Sequence, residues 1–204
     1  MSRAPGGRGG ADLVYFSVDV EASGPVPALY NLVSIGAVPV RHDGGTWRPV
    51  EDRFYVELKP VCDGFDPDAM AVHGIPRQRL ERDGIAAEEA LRGLTAFVAR
   101  HRQGRERAVF VGHNAVFDWS YIAWYHVRFG IENPFGYKAL ELKSLAMGRL
   151  GIGWFDTSKE NLQTLLTGLP AQDTTQVHRA DYDALYQAWI LCALLNLGGP
   201  AAGA

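Results

Sequence analysis

This sequence has few cysteines, a small net charge and no long apolar run. Only two of its 204 residues are cysteines, Cys62 and Cys192, and they lie far apart without the close spacing of metal ligands. We therefore predict two buried, reduced thiols in a cytoplasmic protein, with a disulfide as the less favoured alternative. No stretch approaches the roughly 18 apolar residues of a membrane-spanning helix, and the N-terminus lacks the apolar segment of a secretion signal. No contact with a membrane is expected.

The formal net charge of −3 argues against a protein that binds nucleic acid through a generally basic surface. It leaves open a protein that binds nucleic acid through divalent cations at one site. Hydrophobic residues make up 47% of the chain and charged residues 21%, which is typical of a globular domain with a full core. We expect one domain over residues 11–198, with flexible tails at 1–10 and 199–204.

The pattern of apolar residues predicts both strands and helices. Apolar and β-branched runs predict strands over 13–21, 29–40, 52–60 and 107–114, the first three of them as a meander. Helical spacing predicts helices over 86–102, 117–130, 157–168 and 179–198. Strands followed by a mixture of both indicate an α/β sandwich around a mixed sheet, with the first strand at its centre.

The first strand ends in YFSVDVEASG, which places Asp19 and Glu21 two positions apart. Residues two apart share one face of a strand, so the two carboxylates are neighbours. Each raises the cost of ionising the other, and burial raises it further. Either a positive group lies beside them or the pair is exposed.

Three further segments carry residue types that serve in catalysis. They are HNAVFD (113–118), which ends in Asp118; HRADYD (178–183), which begins with His178 and ends with Asp183; and VHGIP (72–76). Together with Asp19-Val-Glu21, and in this order, they resemble the motifs of the DEDDh branch of the 3′–5′ exonucleases. That superfamily includes ribonuclease T, oligoribonuclease and the proofreading subunits of bacterial polymerases. The resemblance covers nearly the whole chain.

The resemblance implies a ribonuclease-H-like fold, in which helices flank a five-stranded mixed sheet. It also implies a hydrolase that acts on single-stranded 3′ ends of RNA or DNA and releases nucleoside 5′-monophosphates. In such an enzyme Asp19, Glu21 and Asp183 would hold one Mg²⁺ or Mn²⁺, and Asp19 would bridge to a second ion that Asp118 also reaches. The residue types agree, because hard divalent cations prefer carboxylate oxygens and would remove the like-charge penalty at Asp19 and Glu21.

His178 is the expected general base, because an imidazole titrates near neutral pH and can accept a proton from the attacking water. Asp181 is a rival to Asp183 as a ligand, but the two point in different directions on a helix, and the family spacing selects Asp183. Residues expected to contact the terminal nucleotide are Ala22, Ser23, Gly24, His73, Gly74, Asn114 and Phe117. For His73 and Gly74 a plain turn is the alternative; for Asn114 it is a helix cap, and for Phe117 a place in the core.

Two other functions remain open from the sequence. The chain could be a non-catalytic nucleic-acid-binding module of the same fold, or a metal-dependent phosphodiesterase that acts on small nucleotides. Nothing in the residues distinguishes RNA from DNA. Aromatic residues surround most of the predicted helix at 117–129, and a helix that is apolar on every side is either buried or at an interface. This suggests a homodimer.

Overall fold

A six-stranded mixed sheet forms the centre of the protein in the computed structural model, which describes residues 13–198. Its strands are β1 (Leu13–Ala22), β2 (Leu32–Asp43), β3 (Thr46–Pro49), β4 (Phe54–Glu57), β5 (Arg107–Gly112) and β6 (Ala139–Glu141). Their order is β3-β2-β1-β5-β6, and β4 also pairs with β2. The tails predicted at 1–10 and 199–204 lie outside the described residues.

β1 lies at the centre of the sheet, as predicted. It runs antiparallel to β2 and parallel to β5, so both of its edges are paired. All four predicted strands are present, and the third is shortened to β4. The sheet has one strand more than the five expected, because very short segments join it as β3 and β6. Segments of three or four residues are too short to show an alternating pattern.

The described part of the chain has seven helices, and the last five of them cover the two faces of the sheet. They are α1 (Pro67–His73), α2 (Arg77–Asp83), α3 (Ala87–Arg100), α4 (Ala115–Arg128), α5 (Leu142–Leu150), α6 (Lys159–Leu165) and α7 (Ala180–Asn196). The predicted helices correspond to α3, α4, α6 and α7. The sequence did not indicate α1 or α2, since α1 buries no residue and α2 buries only Leu80. Between residues 13 and 198, no helix combines the length and the apolar character that a membrane span requires.

Two hydrophobic clusters fill the spaces between the sheet and the helices. The first joins β1 to α3 and α4, and the second joins β2 and β5 to α5, α6 and α7. Cys192 lies in the second cluster, and burial raises the pKa of its thiol to about 12. Both cysteines are free, but Cys62 is partly exposed, so the prediction of a buried thiol is wrong for Cys62. It lies in a surface loop that packs beside Asn31.

The aromatic residues of α4 pack within the chain itself. Tyr121 and Tyr125 are fully buried, and the Tyr125 hydroxyl accepts a hydrogen bond of 2.8 Å from the backbone N–H of Leu32. The partly buried aromatics of this helix contact the first cluster; they are Phe117, Trp119, Trp124 and Phe129. Their burial therefore requires no second copy of the chain, and the homodimer stays a prediction.

Gly36 allows α7 to approach the central strands closely. It lies opposite Asp19 in the β1–β2 ladder. A Cβ atom at this position would come within 2.1 Å of the carbonyl oxygen of Ala180, the first residue of α7. The glycine thus fixes the distance between the start of α7 and the strand that carries Asp19.

We expect Gly36→Ala to lower the free energy of unfolding by about 1–3 kcal/mol, because the methyl group forces α7 away from the sheet. Chemical denaturation measures this loss. The matched control is Gly148→Ala in α5, where an added Cβ meets nothing within 4 Å. In this control the free energy of unfolding should rise by roughly 0.5–1 kcal/mol, because alanine is more favourable than glycine within a helix. Equal stability of the two variants would contradict the close approach at Gly36.

Candidate active site

Four acidic side chains from three distant segments converge at one end of β1. Asp19 and Glu21 lie on β1, Asp118 lies in the first turn of α4, and Asp183 lies in the first turn of α7. Asp118, Asp183 and Glu21 are buried, and the side chain of Asp19 is 14% exposed. The charges of the other three all act on Asp19. The structure therefore brings together the whole predicted ligand set.

Asp118 is held against β1 by the backbone. Its Oδ1 accepts a hydrogen bond of 2.9 Å from the N–H of Val20, between the two acidic residues of the strand. The start of α4 is fixed by Glu141, at the end of β6, which accepts hydrogen bonds from the N–H groups of Asn114 (3.1 Å) and Ala115 (2.7 Å). Asn114 occupies the cap position in the left-handed conformation, but its side chain makes no capping hydrogen bond. The start of α4 is therefore capped by the side chain of Glu141 and not by that of Asn114.

His178 lies beside Asp183 in a strained turn. Its φ of 66° is in the left-handed region, which non-glycine residues rarely adopt and which is found at functional sites. Its N–H donates a hydrogen bond of 2.6 Å to Oδ2 of Asp183. Atoms of the His178 ring and of the Glu21 and Asp183 carboxylates lie within 4.8 Å of one another. The exposed imidazole thus borders the carboxylates and faces solvent.

Gln187 orients Asp19, a contact that the sequence analysis did not foresee. Its Nε2 donates a hydrogen bond of 2.5 Å to Oδ1 of Asp19, and its Oε1 accepts one of 3.1 Å from the N–H of His113. Gln187 therefore ties the end of β5 to the central strand. The only signal in the sequence is its position one helical turn after Asp183, where a side chain shares the same face of α7.

Lys159 also reaches the carboxylates, and the sequence analysis gave it no role. Its ammonium group donates to Oδ1 of Asp183 and lies 4.0 Å from Oδ1 of Asp19. Burial alone would lower the pKa of Lys159, but Asp19 and Asp183 outweigh burial and raise it. A lysine that begins a helix normally faces solvent, so this contact was not visible from local spacing.

The cluster carries more negative charge than the protein itself neutralises. Burial, together with Asp183 and Asp118, raises the pKa of Glu21 to about 8. Burial is also the main reason why the pKa of Asp118 is raised to about 7. The pKa of Asp19 is raised too, first by burial and then by its acidic neighbours, although Lys159 opposes the shift. Oxygen donors with this excess of negative charge fit hard divalent cations such as Mg²⁺.

We expect Glu21→Gln to stabilise the protein in the presence of a chelator, and increasingly so as the pH rises from about 4.5 to about 8. The folded-state pKa of Glu21 lies above its ordinary value, so over this window Glu21 ionises in the unfolded chain but keeps its proton in the folded protein, and the parent loses stability as the pH rises. The glutamine has no charge to bury. The melting temperatures of parent and variant, compared across the window, measure the effect. A difference that does not depend on pH would contradict the raised pKa.

Several of the residues expected to bind substrate already have partners within the protein. The N–H of Ser23 donates to the carbonyl of Asn31 at 2.8 Å, and its hydroxyl donates to the carbonyl of Gly64 at 2.7 Å. Gly24 is buried beneath Tyr30, and a Cβ there would lie 2.1 Å from that ring. Ala22, which precedes them, ends β1 and is also buried. Both donors of Ser23 are thus used in shaping this loop.

Of the other residues expected to contact the nucleotide, Gly74 and Phe117 have structural roles, whereas His73 has a ring nitrogen without a partner in the described structure. Gly74 ends α1 at a φ of 66°, so it forms the turn that was the alternative for this segment. His73 accepts a hydrogen bond from Ile75 at Nδ1, while its buried Nε2 has no partner within residues 13–198. Burial lowers the pKa of His73, and the nearby His178 lowers it further. Phe117 packs against Tyr121 with ring centroids 5.4 Å apart.

The geometry defines a nuclease centre, and comparison with known proteins gives its family. The family model for the RNase_T exonucleases matches residues 16–191. The chain belongs to this exonuclease family. The fold class and the enzyme class expected from the sequence are therefore confirmed: this is a 3′–5′ exonuclease with an α/β fold like that of the DEDDh enzymes.

Individual relatives agree with this family. The 3′-5′ DNA exonuclease Cap18 of Escherichia coli is 36% identical over 176 residues, which cover 86% of this chain and 88% of the relative. Ribonuclease T of Cronobacter sakazakii is 27% identical over 190 residues, 89% of this chain and 83% of the relative. Among solved structures, the nuclease domain of 3′hExo, a DEDDh family member, superposes with a TM-score of 0.72 at 12% identity and covers 89% of this chain and 91% of that domain.

Proposed function

We propose that this exonuclease shortens single-stranded DNA from the 3′ end, with Mg²⁺ or Mn²⁺ as its cofactor. The observation that carries the proposal is the convergence of Asp19, Glu21, Asp118 and Asp183 beside His178. The preference for DNA is supported by the 36% identity to a relative named as a DNA exonuclease, against 27% to the ribonuclease T of Cronobacter sakazakii. The two free cysteines support a reducing, cytoplasmic environment.

The carboxylates and the histidine have separate tasks in the proposed reaction. Asp19, Glu21 and Asp183 would hold one ion, and Asp118 together with Asp19 would hold a second. Divalent ions held in this way would stabilise the attacking and leaving oxygens of a phosphodiester. His178 accepts a proton from the attacking water. The oxygen of that water bonds to phosphorus while the bond between phosphorus and the 3′-oxygen breaks, and the released 3′-oxygen takes up a proton from solvent, which yields a 5′-monophosphate and a new 3′-hydroxyl.

His73 is the residue that we assign to the terminal nucleotide. Its Nε2 is buried without a partner in the described structure, and the ring lies near His178. A buried polar atom without a partner is costly, so a hydrogen bond to the substrate would remove that cost. Ala22, Ser23 and Gly24 would shape the same pocket through their backbone. The close packing of Ser23 leaves its hydroxyl to the protein rather than to the substrate.

Phe155 is the side chain that we assign to the following nucleotides. It is 92% exposed, in the short 3₁₀ turn Trp154–Thr157, which ends two residues before Lys159. The same turn holds Trp154, and the ammonium of Lys143 lies 4.2 Å from the centre of that ring. The turn is fixed to the end of β5, because the His113 ring donates to the carbonyl of Thr157 at 2.7 Å. An exposed aromatic ring on a fixed turn beside the site is suited to stacking on a base.

We expect Phe155→Ala to weaken binding of single-stranded DNA by about 5- to 150-fold, the range that corresponds to 1–3 kcal/mol for one stacked base. Fluorescence anisotropy with a labelled oligonucleotide, in Ca²⁺ to prevent cleavage, measures the affinity. The matched control is Tyr137→Ala, which removes another largely exposed aromatic ring next to the starts of β1 and β5, away from the carboxylates. An equal loss in both variants would contradict the assignment of Phe155.

A side-by-side digestion of matched DNA and RNA oligomers tests the proposed function. Each oligomer is prepared with a free 3′ end, with a 3′-phosphate and as a duplex, alongside a dinucleotide. We expect the single-stranded DNA with a free 3′ end to be shortened fastest. Faster digestion of RNA would overturn the DNA preference, and preference for the dinucleotide would favour the small-nucleotide phosphodiesterase. No metal-dependent turnover of any oligomer would favour the non-catalytic binding module.

A further inference from the structure

Lys159 places a positive charge inside the carboxylate cluster. Its side chain is only 17% exposed, although lysines normally keep their ammonium group in water. The ammonium donates to Oδ1 of Asp183, whose side chain is 4% exposed, and it lies 4.0 Å from Oδ1 of Asp19. Two of the four carboxylates therefore share one cation that belongs to the protein.

The backbone around Lys159 is held in place on both sides. Lys159 is the first residue of α6, and the side chain of Ser158 accepts a hydrogen bond from the N–H of Asn161 to cap that helix. Thr157, the residue before Ser158, is fully buried, and its carbonyl oxygen accepts a hydrogen bond of 2.7 Å from the ring of His113. The backbone position from which the Lys159 side chain reaches Asp183 is thus set by the fold.

The carboxylates that Lys159 contacts are two of those assigned to a divalent cation. Asp19 and Asp183 both belong to the ligand set assigned above. The repulsion energy of two positive charges about 4 Å apart is roughly four times larger near a protein surface than in water. A divalent ion at these oxygens must therefore displace the ammonium or bind against its charge. When no such ion is bound, the ammonium reduces the repulsion among the carboxylates.

We propose that Lys159 is a resident counter-ion of the carboxylate cluster, which holds Asp19 and Asp183 in position without divalent ions and weakens the binding of those ions. Lys159 would thus set the metal concentration at which the site fills. This inference rests on the proposed function, because it takes the cluster to be the metal site. It assigns Lys159 a positioning role rather than a part in bond cleavage.

The test compares Lys159→Met with the parent by two measurements that need no nucleic acid. Calorimetric titration with Mn²⁺ gives the dissociation constant, and thermal unfolding in a chelator gives the stability of the metal-free protein. The variant should bind Mn²⁺ at least roughly tenfold more tightly, equivalent to about 1.4 kcal/mol. Its metal-free melting temperature should fall below that of the parent, and saturating Mn²⁺ should close the gap.

Two further variants show whether charge is responsible. Lys159→Arg keeps the positive charge and should retain the weak Mn²⁺ affinity of the parent. Lys143→Met is the matched control, because Lys143 lies over the Trp154 ring and has no ion pair with a carboxylate in the described structure. It should change neither the affinity nor the metal-free stability. Equal or weaker Mn²⁺ binding by Lys159→Met would overturn the inference.

A measurement on the unmutated protein covers the case in which Lys159→Met does not fold. The rate at which acetic anhydride acetylates each lysine is followed by mass spectrometry, in chelator and in saturating Mn²⁺. Acetylation of Lys159 should become faster with Mn²⁺, while Lys143 should be unaffected; an unchanged or slower rate at Lys159 would contradict displacement. Because none of these measurements uses a substrate, absence of nuclease activity would overturn the proposed function, whereas the Mn²⁺ affinity and the acetylation rates alone decide the role of Lys159.

Discussion

Replacing His178 with alanine should lower the turnover of single-stranded DNA by about 10²–10⁴, the usual cost of removing a general base. The imidazole lies beside the carboxylates but is exposed, so that it can meet a water molecule on the open side of the site. Its backbone N–H, rather than its ring, donates the hydrogen bond to Asp183. Loss of the ring should therefore leave Mn²⁺ affinity close to that of the parent.

The left-handed backbone at His178 calls for a second variant. Alanine is strained at a φ of 66°, whereas asparagine adopts this conformation readily. His178→Asn should thus lose turnover as His178→Ala does, with less effect on stability. His42→Ala, at an exposed histidine on β2 before the turn to β3, is the control and should keep full activity. If calorimetry shows that both His178 variants lose Mn²⁺ binding, the ring is a ligand and not the base.

Asp183→Asn should also have a large effect, with turnover reduced roughly 10³-fold or more. A metal ion supplies several kcal/mol of transition-state stabilisation, and each 1.36 kcal/mol is a factor of ten. The asparagine also leaves the ammonium of Lys159 without its closest partner, which is costly in a buried position. Metal affinity should therefore fall together with turnover, and raised Mn²⁺ should restore part of the activity.

Asp181→Asn is the matched control for Asp183→Asn. Asp181 lies in the same turn of α7 but forms its ion pair with Arg179 at 2.9 Å, away from the cluster. We expect the control to keep both the turnover and the metal affinity of the parent. The contrast between the two neighbouring aspartates tests the choice of ligand directly. If Asp181→Asn were the more damaging change, the assignment of Asp183 would be wrong.

The four carboxylates could be found from the sequence because each lies where a predicted strand or helix begins or ends. Strand alternation placed Asp19 and Glu21 on one face, and the order of the motifs supplied Asp118 and Asp183. Convergence of these segments then required only that β1 be central in the sheet. These are local patterns combined with one topological expectation, and the structure agrees with both.

The residues that position those carboxylates could not be found in this way. Gln187 contacts Asp19 across 168 positions of the chain, and the contact of Lys159 with Asp183 depends on where a short helix begins. Glu141 reaches the start of α4 from a three-residue strand. Such contacts follow from how distant elements pack, and no repeating pattern of residue types predicts them. The fit of Gly36 against Ala180 is of the same kind.

The proposed activity is hydrolysis of DNA from its 3′ end at a carboxylate-bound metal site. The most direct measurement follows a 5′-labelled single-stranded DNA on a sequencing gel, first with chelated protein and then after addition of Mg²⁺. We expect no cleavage in chelator and, after addition of Mg²⁺, a ladder of labelled products that shorten progressively from the 3′ end. A 3′-phosphate on the same strand should suppress the ladder. Full activity in the chelator, or immediate release of the labelled 5′ nucleotide, would contradict this proposal.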